Sequence, residues 1–237
     1  MSDKVSVKTD VPSPYIENRG GVYRFKRKLT YAFAFRLLNK LLDRQQHLEI
    51  LEIGTGSGFF LDFAQENFPN SQFTGLEYDE RLLHETQQRA PNARLHQGNA
   101  ESFALGLNKY DLIVSFQVIE HLYNPAAMLD NVKAHLKPGG IFLVTTPNLS
   151  GVGAKLMKDR WHGYRDDHVS LKHKSDWDVM IKSHGFKSLY SGSTFFSGVP
   201  ILNRFPLGVI NWLLLLVFGS LRWASGESYV GVFKSNH

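Results

Sequence analysis

Residues 51–60 read LEIGTGSGFF and place a glycine-rich turn between two apolar segments of different character. The segment LEILEIG (48–54) predicts a buried strand, and GFFLDFAQENF (58–68) predicts a helix that follows the turn. A strand, a tight glycine turn and a helix in this order are typical of the first unit of a doubly wound α/β domain. The turn therefore predicts a ligand at the carboxyl end of the first strand.

Short apolar runs continue to alternate with helical stretches as far as residue 148. Further strands are predicted at FTGLEY (73–78), ARLHQGN (93–99), YDLIVSFQV (110–118), IFLVTTPN (141–148), KSLYSGST (187–194) and SYVGVFK (228–234). Helices are predicted at DERLLHETQQRA (79–90), PAAMLDNVKAHL (125–136) and SDWDVMIKSHGF (175–186). We expect an α/β Rossmann-like fold, in which a mostly parallel seven-stranded sheet is flanked by helices and a hydrophobic insertion precedes the last strand.

The cysteine count, the first residues and the charge of the chain limit the classes of function that are possible. The 237 residues contain no cysteine, which excludes disulfides, thiolate-ligated zinc and a thiol nucleophile. The first residues lack the apolar core of a secretory signal, so we expect a cytoplasmic protein. The net charge is +5, and basic residues interleave with apolar ones over residues 24–44, which predicts an N-terminal tail and basic amphipathic helix (1–44) before the main domain (45–237).

The glycine spacing argues against a dinucleotide. A dinucleotide turn needs a glycine at its sixth position, where this chain has Phe59. Glu52 lies at the end of the first strand, where a carboxylate favours a cationic group and repels a pyrophosphate. Glu77 ends the second strand, where it can accept hydrogen bonds from both hydroxyls of a ribose. Together these residues indicate an adenosine ligand without phosphates.

The segments EIGTGSG, GLEY, QGNAE, SFQVIEHLYNP and LKPGGIFLVTTPN, in this order, resemble the motifs of class I S-adenosylmethionine-dependent methyltransferases. The resemblance covers residues 45 to 150 closely. The segment DHVSLKHKSDWDVMIKSHGF (167–186) resembles the continuation found in the ubiquinone-biosynthesis-like branch.

The resemblance implies a binding role for ten residues. The methionine part of S-adenosylmethionine would contact Glu52, Gly54, Gly56 and Gly58. The ribose would contact Glu77, and the adenine would contact Tyr78, Asn99 and Ala100. The family usually has Asp where this chain has Asn99, but an amide oxygen also accepts from the exocyclic amine. The sulfonium would lie beside Phe116 and Gln117.

Two histidines are candidates for a general base, which methyl transfer needs only when the acceptor must lose a proton. His168 is the preferred candidate, and His121 could act as base or help to build the pocket. His162, Asp166 and Asp167 lie close to His168 in sequence and could form a metal site with it, but we expect a loop without metal.

Two sequence features that the chain lacks exclude some classes of methyl acceptor. The turn after the fourth strand, Ser115 to Val118, is not the Asn-Pro-Pro-aromatic turn typical of enzymes that methylate adenine or glutamine nitrogens, and cytosine C5 enzymes need a cysteine. We expect a small or lipid-like acceptor methylated at oxygen.

An apolar segment, FPLGVINWLLLLVFGSL (205–221), is the most unusual feature. A single membrane crossing would separate SYVGVFK from its sheet, so we expect a cap-like insertion (195–227), a contact in a homodimer, or a helix in the membrane interface at the inner face.

Two other classes of function remain open. One is an inactive cofactor-binding scaffold or regulatory subunit, and the other is an RNA methyltransferase, which the positive charge alone would favour. We do not expect nucleic acid as a partner.

Overall fold

The computed structural model describes residues 31–107, 109–195, 199 and 204–236. The strands are β1 (Glu49–Ile53), β2 (Gln72–Glu77), β3 (Arg94–Gln97), β4 (Tyr110–Phe116), β5 (Leu136–Pro147), β6 (Phe186–Thr194), β7 (Ser220–Leu221) and β8 (Ser228–Ser235). They form one sheet in the order β3-β2-β1-β4-β5-β8-β6-β7. The first five strands pair in parallel, whereas β8 pairs antiparallel with both β5 and β6. The predicted Rossmann-like α/β fold is confirmed.

The strand count differs from the prediction, since the described residues contain eight strands instead of seven. The additional strand, β7, has two residues and pairs Leu221 with Ser193 and Ser220 with Thr194. So short a strand leaves no alternating pattern in the sequence, because its pairing with the edge of the sheet is what defines it. β5 also begins earlier than predicted, at Leu136, which pairs with Tyr110 before a bulge separates it from the main register.

The helices cover both faces of the sheet. Residues 31–38 form helix α1, and the others are α2 (Phe59–Asn67), α3 (Glu80–Arg89), α4 (Pro125–His135), α5 (Val152–Met157), α6 (Lys174–Ser183) and α7 (Leu207–Phe218). The caps follow from the sequence: Asp79 accepts from the backbone N–H of Arg81 ahead of α3, and Asn124 accepts from Ala127 ahead of α4.

The predicted basic helix over 24–44 is only partly described, because residues 24–30 lie outside the described residues. Within the described part, α1 buries Tyr31, Phe33, Phe35 and Leu38 in the apolar cluster on one face of the sheet. Arg36 remains exposed and donates hydrogen bonds to the carbonyl oxygens of the last turn of α7. α1 and α7 are therefore in direct contact.

α7 has 12 residues, and most of its apolar side chains face solvent. None of the helices in the described ranges is both long and apolar enough to cross a bilayer. Gly208, Asn211 and Leu215 are its buried residues. The exposed apolar residues are Leu207, Val209, Ile210, Leu213, Leu216, Val217 and Phe218.

Candidate active site

A cavity of about 770 Å³ opens at the carboxyl ends of the parallel strands. Its wall is made of the residues that follow β1, β2, β3 and β4, together with parts of the loop over residues 161–173, which we call the His168 loop. A cavity of this size at this edge of the sheet is typical of a small-molecule site in an open α/β fold.

The glycine turn after β1 presents backbone to the cavity. Gly56 has a φ of 53°, and a Cβ built on it would meet no atom within 4 Å. Gly58 has a φ of 76°, but its Cβ would come within 2.9 Å of the Thr86 backbone. Because the left-handed conformation is costly for other residues, glycine is required at both places. Gly56 thus leaves open space for a ligand, whereas Gly58 allows the start of α2 to pack against α3.

Glu77 is held by the backbone around it. Its Oε2 accepts from the N–H of Gly56 at 2.8 Å, and its Oε1 accepts from the N–H groups of Tyr78 at 2.8 Å and Asp79 at 3.1 Å. Three backbone donors fix the carboxylate in one orientation at the end of β2. Because a carboxylate has about four acceptor positions, capacity remains for a ligand hydroxyl group.

The described wall of the cavity is acidic. It carries one guanidinium, that of Arg165, against six carboxyl groups: those of Glu52, Glu77, Asp79, Glu101, Glu120 and Asp167. Five of these carboxyl groups remain when the buried Glu120, whose pKa is raised to about 8, is left out, so the wall favours a ligand with positive charge and disfavours a pyrophosphate. This electrostatic character agrees with the sequence argument against a dinucleotide.

Nine of the ten residues predicted to contact the cofactor lie on the cavity wall. These nine are Glu52, Gly54, Gly56, Glu77, Tyr78, Asn99, Ala100, Phe116 and Gln117. The exception is Gly58, which is not on the described wall. Tyr78 is 74% exposed, so its ring is free to lie against a bound base. Phe116 packs against Tyr31 with ring centroids 5.0 Å apart.

Both candidate bases, His121 and His168, also line the cavity, and their rings lie 4.7 Å apart in a T-shaped arrangement. The Nδ1 of His121 lies 3.0 Å from the backbone oxygen of Asp167, and the Nδ1 of His168 lies 2.7 Å from the backbone oxygen of Gly163. Burial lowers the pKa of His121, and the positive charge that His168 can carry lowers it further. His121 is therefore a neutral imidazole near neutral pH.

Glu120, next to His121, is a fully buried carboxyl group on the same wall. Its Oε2 accepts a hydrogen bond from Thr146 at 3.0 Å. Burial raises the pKa of Glu120 to about 8. A carboxyl group in this environment is protonated at neutral pH unless a positive charge is placed beside it.

Hydrogen bonds secure the His168 loop to the sheet. The backbone N–H of Ser170 donates to the Glu120 carbonyl at 2.9 Å, and its hydroxyl donates to the Leu122 carbonyl at 2.7 Å. Trp161 is buried and donates its indole N–H to Glu227, just ahead of β8. The loop is thereby held over the cavity at both of these points.

The grouping of His162, Asp166, Asp167 and His168 proposed from sequence spacing is not the one that converges. His162, Asp167 and His168 line the cavity, whereas Asp166 is not among the residues described on its wall. The metal-binding types that do converge among the described residues are Glu120, His121 and His168.

Several wall residues were missed by the sequence analysis, among them Tyr31, Glu101 and Arg165. Tyr31 reaches the cavity because α1 packs beside β4, which no local pattern reveals. Glu120 stood beside His121 in the VIEHL segment, so the signal for it was present in the sequence.

The family follows from comparison with known proteins. A model of the methyltransferase domain family matches residues 24–191. The chain belongs to the class I S-adenosylmethionine-dependent methyltransferases. The cofactor of this family, S-adenosylmethionine, carries the sulfonium and adenosine that the acidic wall and Glu77 suit.

Individual relatives agree with this assignment. The methyltransferase is 35% identical over 109 residues to a Mycolicibacterium smegmatis protein named as an S-adenosylmethionine-dependent methyltransferase, covering 46% of this chain and 42% of that one. It is 24% identical over 201 residues to the malonyl-[acyl-carrier protein] O-methyltransferase of a Paenibacillus species, covering 77% and 73%. The match thus spans less than half the length of the mycobacterial relative.

Solved structures show the same fold at low identity. The structure of an S-adenosylmethionine-dependent methyltransferase from Mesorhizobium loti superposes with a TM-score of 0.63 and 16% identity, covering 87% of this chain and 99% of that one. At this identity the likeness concerns the fold alone.

Proposed function

We propose that this methyltransferase transfers the methyl group of S-adenosylmethionine to an oxygen atom of a small or lipid-like acceptor. The observation that carries the proposal is the acidic cavity at the strand ends, with Glu77 fixed by three backbone N–H groups and an open backbone surface at Gly56.

In this proposal the two ends of the cofactor lie against different strands. The amino acid part lies along the glycine turn beside Glu52, and a ribose hydroxyl donates to Glu77. The adenine lies against Tyr78, with Asn99 and Ala100 at its edge. The sulfonium lies beside Phe116 and Gln117, which places the methyl group toward the side of the cavity that carries the two histidines.

The reaction is an in-line displacement. The bond between sulfur and the methyl carbon breaks, its electron pair stays on sulfur, and an acceptor lone pair forms the new bond to carbon. The protein mainly aligns the reactants and excludes water. An acceptor hydroxyl must also lose its proton, for which we propose His168, with His121 beside it. The hydrogen bond from His168 Nδ1 to Gly163 leaves Nε2 as the acceptor of that proton.

Oxygen is favoured by three observations. The turn over Ser115 to Val118 lacks the Asn-Pro-Pro-aromatic pattern, the chain has no cysteine, and the Paenibacillus relative is named as an O-methyltransferase. The identity with that relative is 24%, so its particular acceptor is not carried over.

Turnover of methyl-labelled S-adenosylmethionine with a panel of phenols, carboxylic acids and lipid-linked hydroxyl compounds tests the proposal. We expect label on oxygen and S-adenosylhomocysteine in equal amounts. Glu77→Ala should abolish cofactor binding, whereas His168→Ala should spare binding and slow transfer. If the chain binds the cofactor but methylates no compound of these classes, it is a scaffold and not the enzyme proposed here.

A second proposal concerns where the acceptor is met. The apolar face of α7 is solvent-exposed over most of its length. In the sequence, residues 18–42 and 179–226 contain no Asp or Glu, and Arg36 of the first stretch donates a hydrogen bond to the Val217 carbonyl of α7 in the second. Arg36, Arg204 and Arg222 are exposed near that face. An exposed apolar helix in a stretch of sequence that is basic and contains no acids is suited to the interface of an anionic membrane.

Flotation with vesicles containing anionic lipid tests this contact. We expect the full chain to float at low salt and Ile210→Asp to float much less. Leu107→Asp is the matched control, because Leu107 is an exposed apolar residue that lies outside both segments and is not on the described wall of the cavity. Equal flotation of both variants, or a concentration-dependent dimer in place of vesicle binding, would reject the membrane contact.

A further inference from the structure

Three side chains of metal-binding type meet on one side of the cavity. Glu120 and His121 lie in the short 3₁₀ turn after β4, and His168 is brought to them by the His168 loop. One oxygen or nitrogen atom from each lies within 4.8 Å of the other two. Small rotations of the side chains bring such atoms to the separations found around one metal ion.

The two imidazole rings are oriented as they are in metal sites. His121 Nδ1 faces the backbone oxygen of Asp167 at 3.0 Å and the Asp167 carboxylate at 3.3 Å. His168 Nδ1 faces the backbone oxygen of Gly163 at 2.7 Å. Metal-binding histidines usually donate their second ring N–H to a carbonyl or carboxylate in this way, which leaves the other nitrogen with a lone pair for the metal. In both rings here, that nitrogen is Nε2.

Glu120 supplies an independent indication. Its side chain is fully buried, and Oε2 accepts from Thr146. Oε1 has no hydrogen-bond partner among the residues that the structure describes. A buried carboxyl oxygen without a partner is costly. A cation bound between Glu120 and the two histidines would satisfy it.

We propose that Glu120, His121 and His168 bind a divalent transition-metal ion on the acceptor side of the cavity. Two imidazole nitrogens and one carboxylate suit zinc, manganese, iron or cobalt better than calcium or magnesium, which prefer oxygen ligands throughout. Three protein ligands leave at least one position for an oxygen atom from solvent or substrate. The proposal replaces the expectation from the sequence of a loop without metal.

The site would deepen the proposed function, on which this consequence rests. A bound acceptor hydroxyl would occupy the open position, and the metal would lower the pKa of that hydroxyl so that its proton passes to water. The resulting oxygen anion would attack the methyl carbon. His168 would then be a ligand and could not accept the proton, so the two roles of His168 exclude each other.

Titration of the chelator-treated full chain with cobalt(II) tests metal binding without any turnover. We expect saturable binding, a visible absorption spectrum of a cobalt–imidazole site, and reversal by chelator. His121→Ala and His168→Ala should each weaken binding by at least about tenfold. Glu120→Gln keeps the shape of the side chain and should also weaken cobalt binding. This variant tests the site even if the alanine variants do not fold.

His162→Ala and His173→Ala are the matched controls, since both histidines lie in or beside the loop but outside the cluster. They should bind cobalt as the unaltered chain does. S-adenosylhomocysteine affinity, measured on every variant, should not change, which separates this site from the cofactor site. The proposal would be overturned if the unaltered chain showed no saturable binding of cobalt, zinc or manganese. It would also be overturned if the His121→Ala and His168→Ala variants bound cobalt as tightly as the unaltered chain. Either result would count even if cofactor binding is intact.

Discussion

The substitution Glu77→Gln tests the proposed ribose contact with almost no change in side-chain shape. In the structure, Oε1 accepts from Tyr78 and Asp79, and Oε2 accepts from Gly56. A glutamine can keep its oxygen toward Tyr78 and Asp79, but its NH₂ then faces the N–H of Gly56. The N–H of Gly56 then has no acceptor on this side chain, and the ribose hydroxyl also loses its acceptor.

The expected effect on affinity follows from the ligand bond alone. A hydrogen bond to a charged group contributes about 1.5–3 kcal/mol, so the Kd for S-adenosylhomocysteine should rise about 10- to 150-fold. Glu77→Ala removes the ribose bond together with the acceptor for all three backbone N–H groups and should weaken binding further.

Isothermal titration calorimetry with S-adenosylhomocysteine measures the change directly. Glu80→Gln is the control, because this exposed acid lies three residues further along and does not line the cavity. A thermal melt of each variant shows whether the fold survives. Unchanged affinity in a folded Glu77→Gln variant would refute the assignment of the ribose to Glu77.

Two further predictions concern stability. Gly58→Ala should lower the free energy of unfolding by about 1–3 kcal/mol. The backbone of residue 58 has a φ of 76°, and an added Cβ would lie 2.9 Å from the Thr86 backbone. A chemical denaturation series measures the change, and an unchanged midpoint would contradict the packing role of Gly58. Asp178 accepts hydrogen bonds from Lys174, Ser191 and Tyr229. Burial raises its pKa, but these bonds outweigh burial and bring the pKa below 3.8. A carboxyl with a lowered folded pKa stabilises the chain above its unfolded pKa and loses that contribution as the pH falls through the folded value. The advantage of the unaltered chain over Asp178→Asn should therefore be full at pH near 7 and shrink below about pH 4; an advantage that is the same at both pH values would contradict this account.

The sequence predicted the part of the site that depends on local chemistry. Glycines at Gly54 and Gly56 and acids at Glu52 and Glu77 lie at strand ends, and parallel pairing alone brings those ends together. Neighbouring residues in the chain thus become neighbours around the cavity without any long-range packing information.

Features that depend on distant packing were missed. Tyr31 reaches the cavity only through the docking of α1, and β7 exists only because Leu221 pairs with Ser193. The convergence of Glu120 with His168 depends on the path of a long loop, which sequence spacing does not fix. Apolar composition likewise did not reveal that most of α7 faces solvent, since a buried and an exposed apolar helix have the same pattern.

Calorimetric titration of the unaltered chain measures whether the cavity at Gly56 and Glu77 holds S-adenosylmethionine. We expect a single saturable site for S-adenosylmethionine and S-adenosylhomocysteine and none for NAD⁺. Saturable binding of NAD⁺, with no heat from either sulfur compound at millimolar concentration, would contradict it.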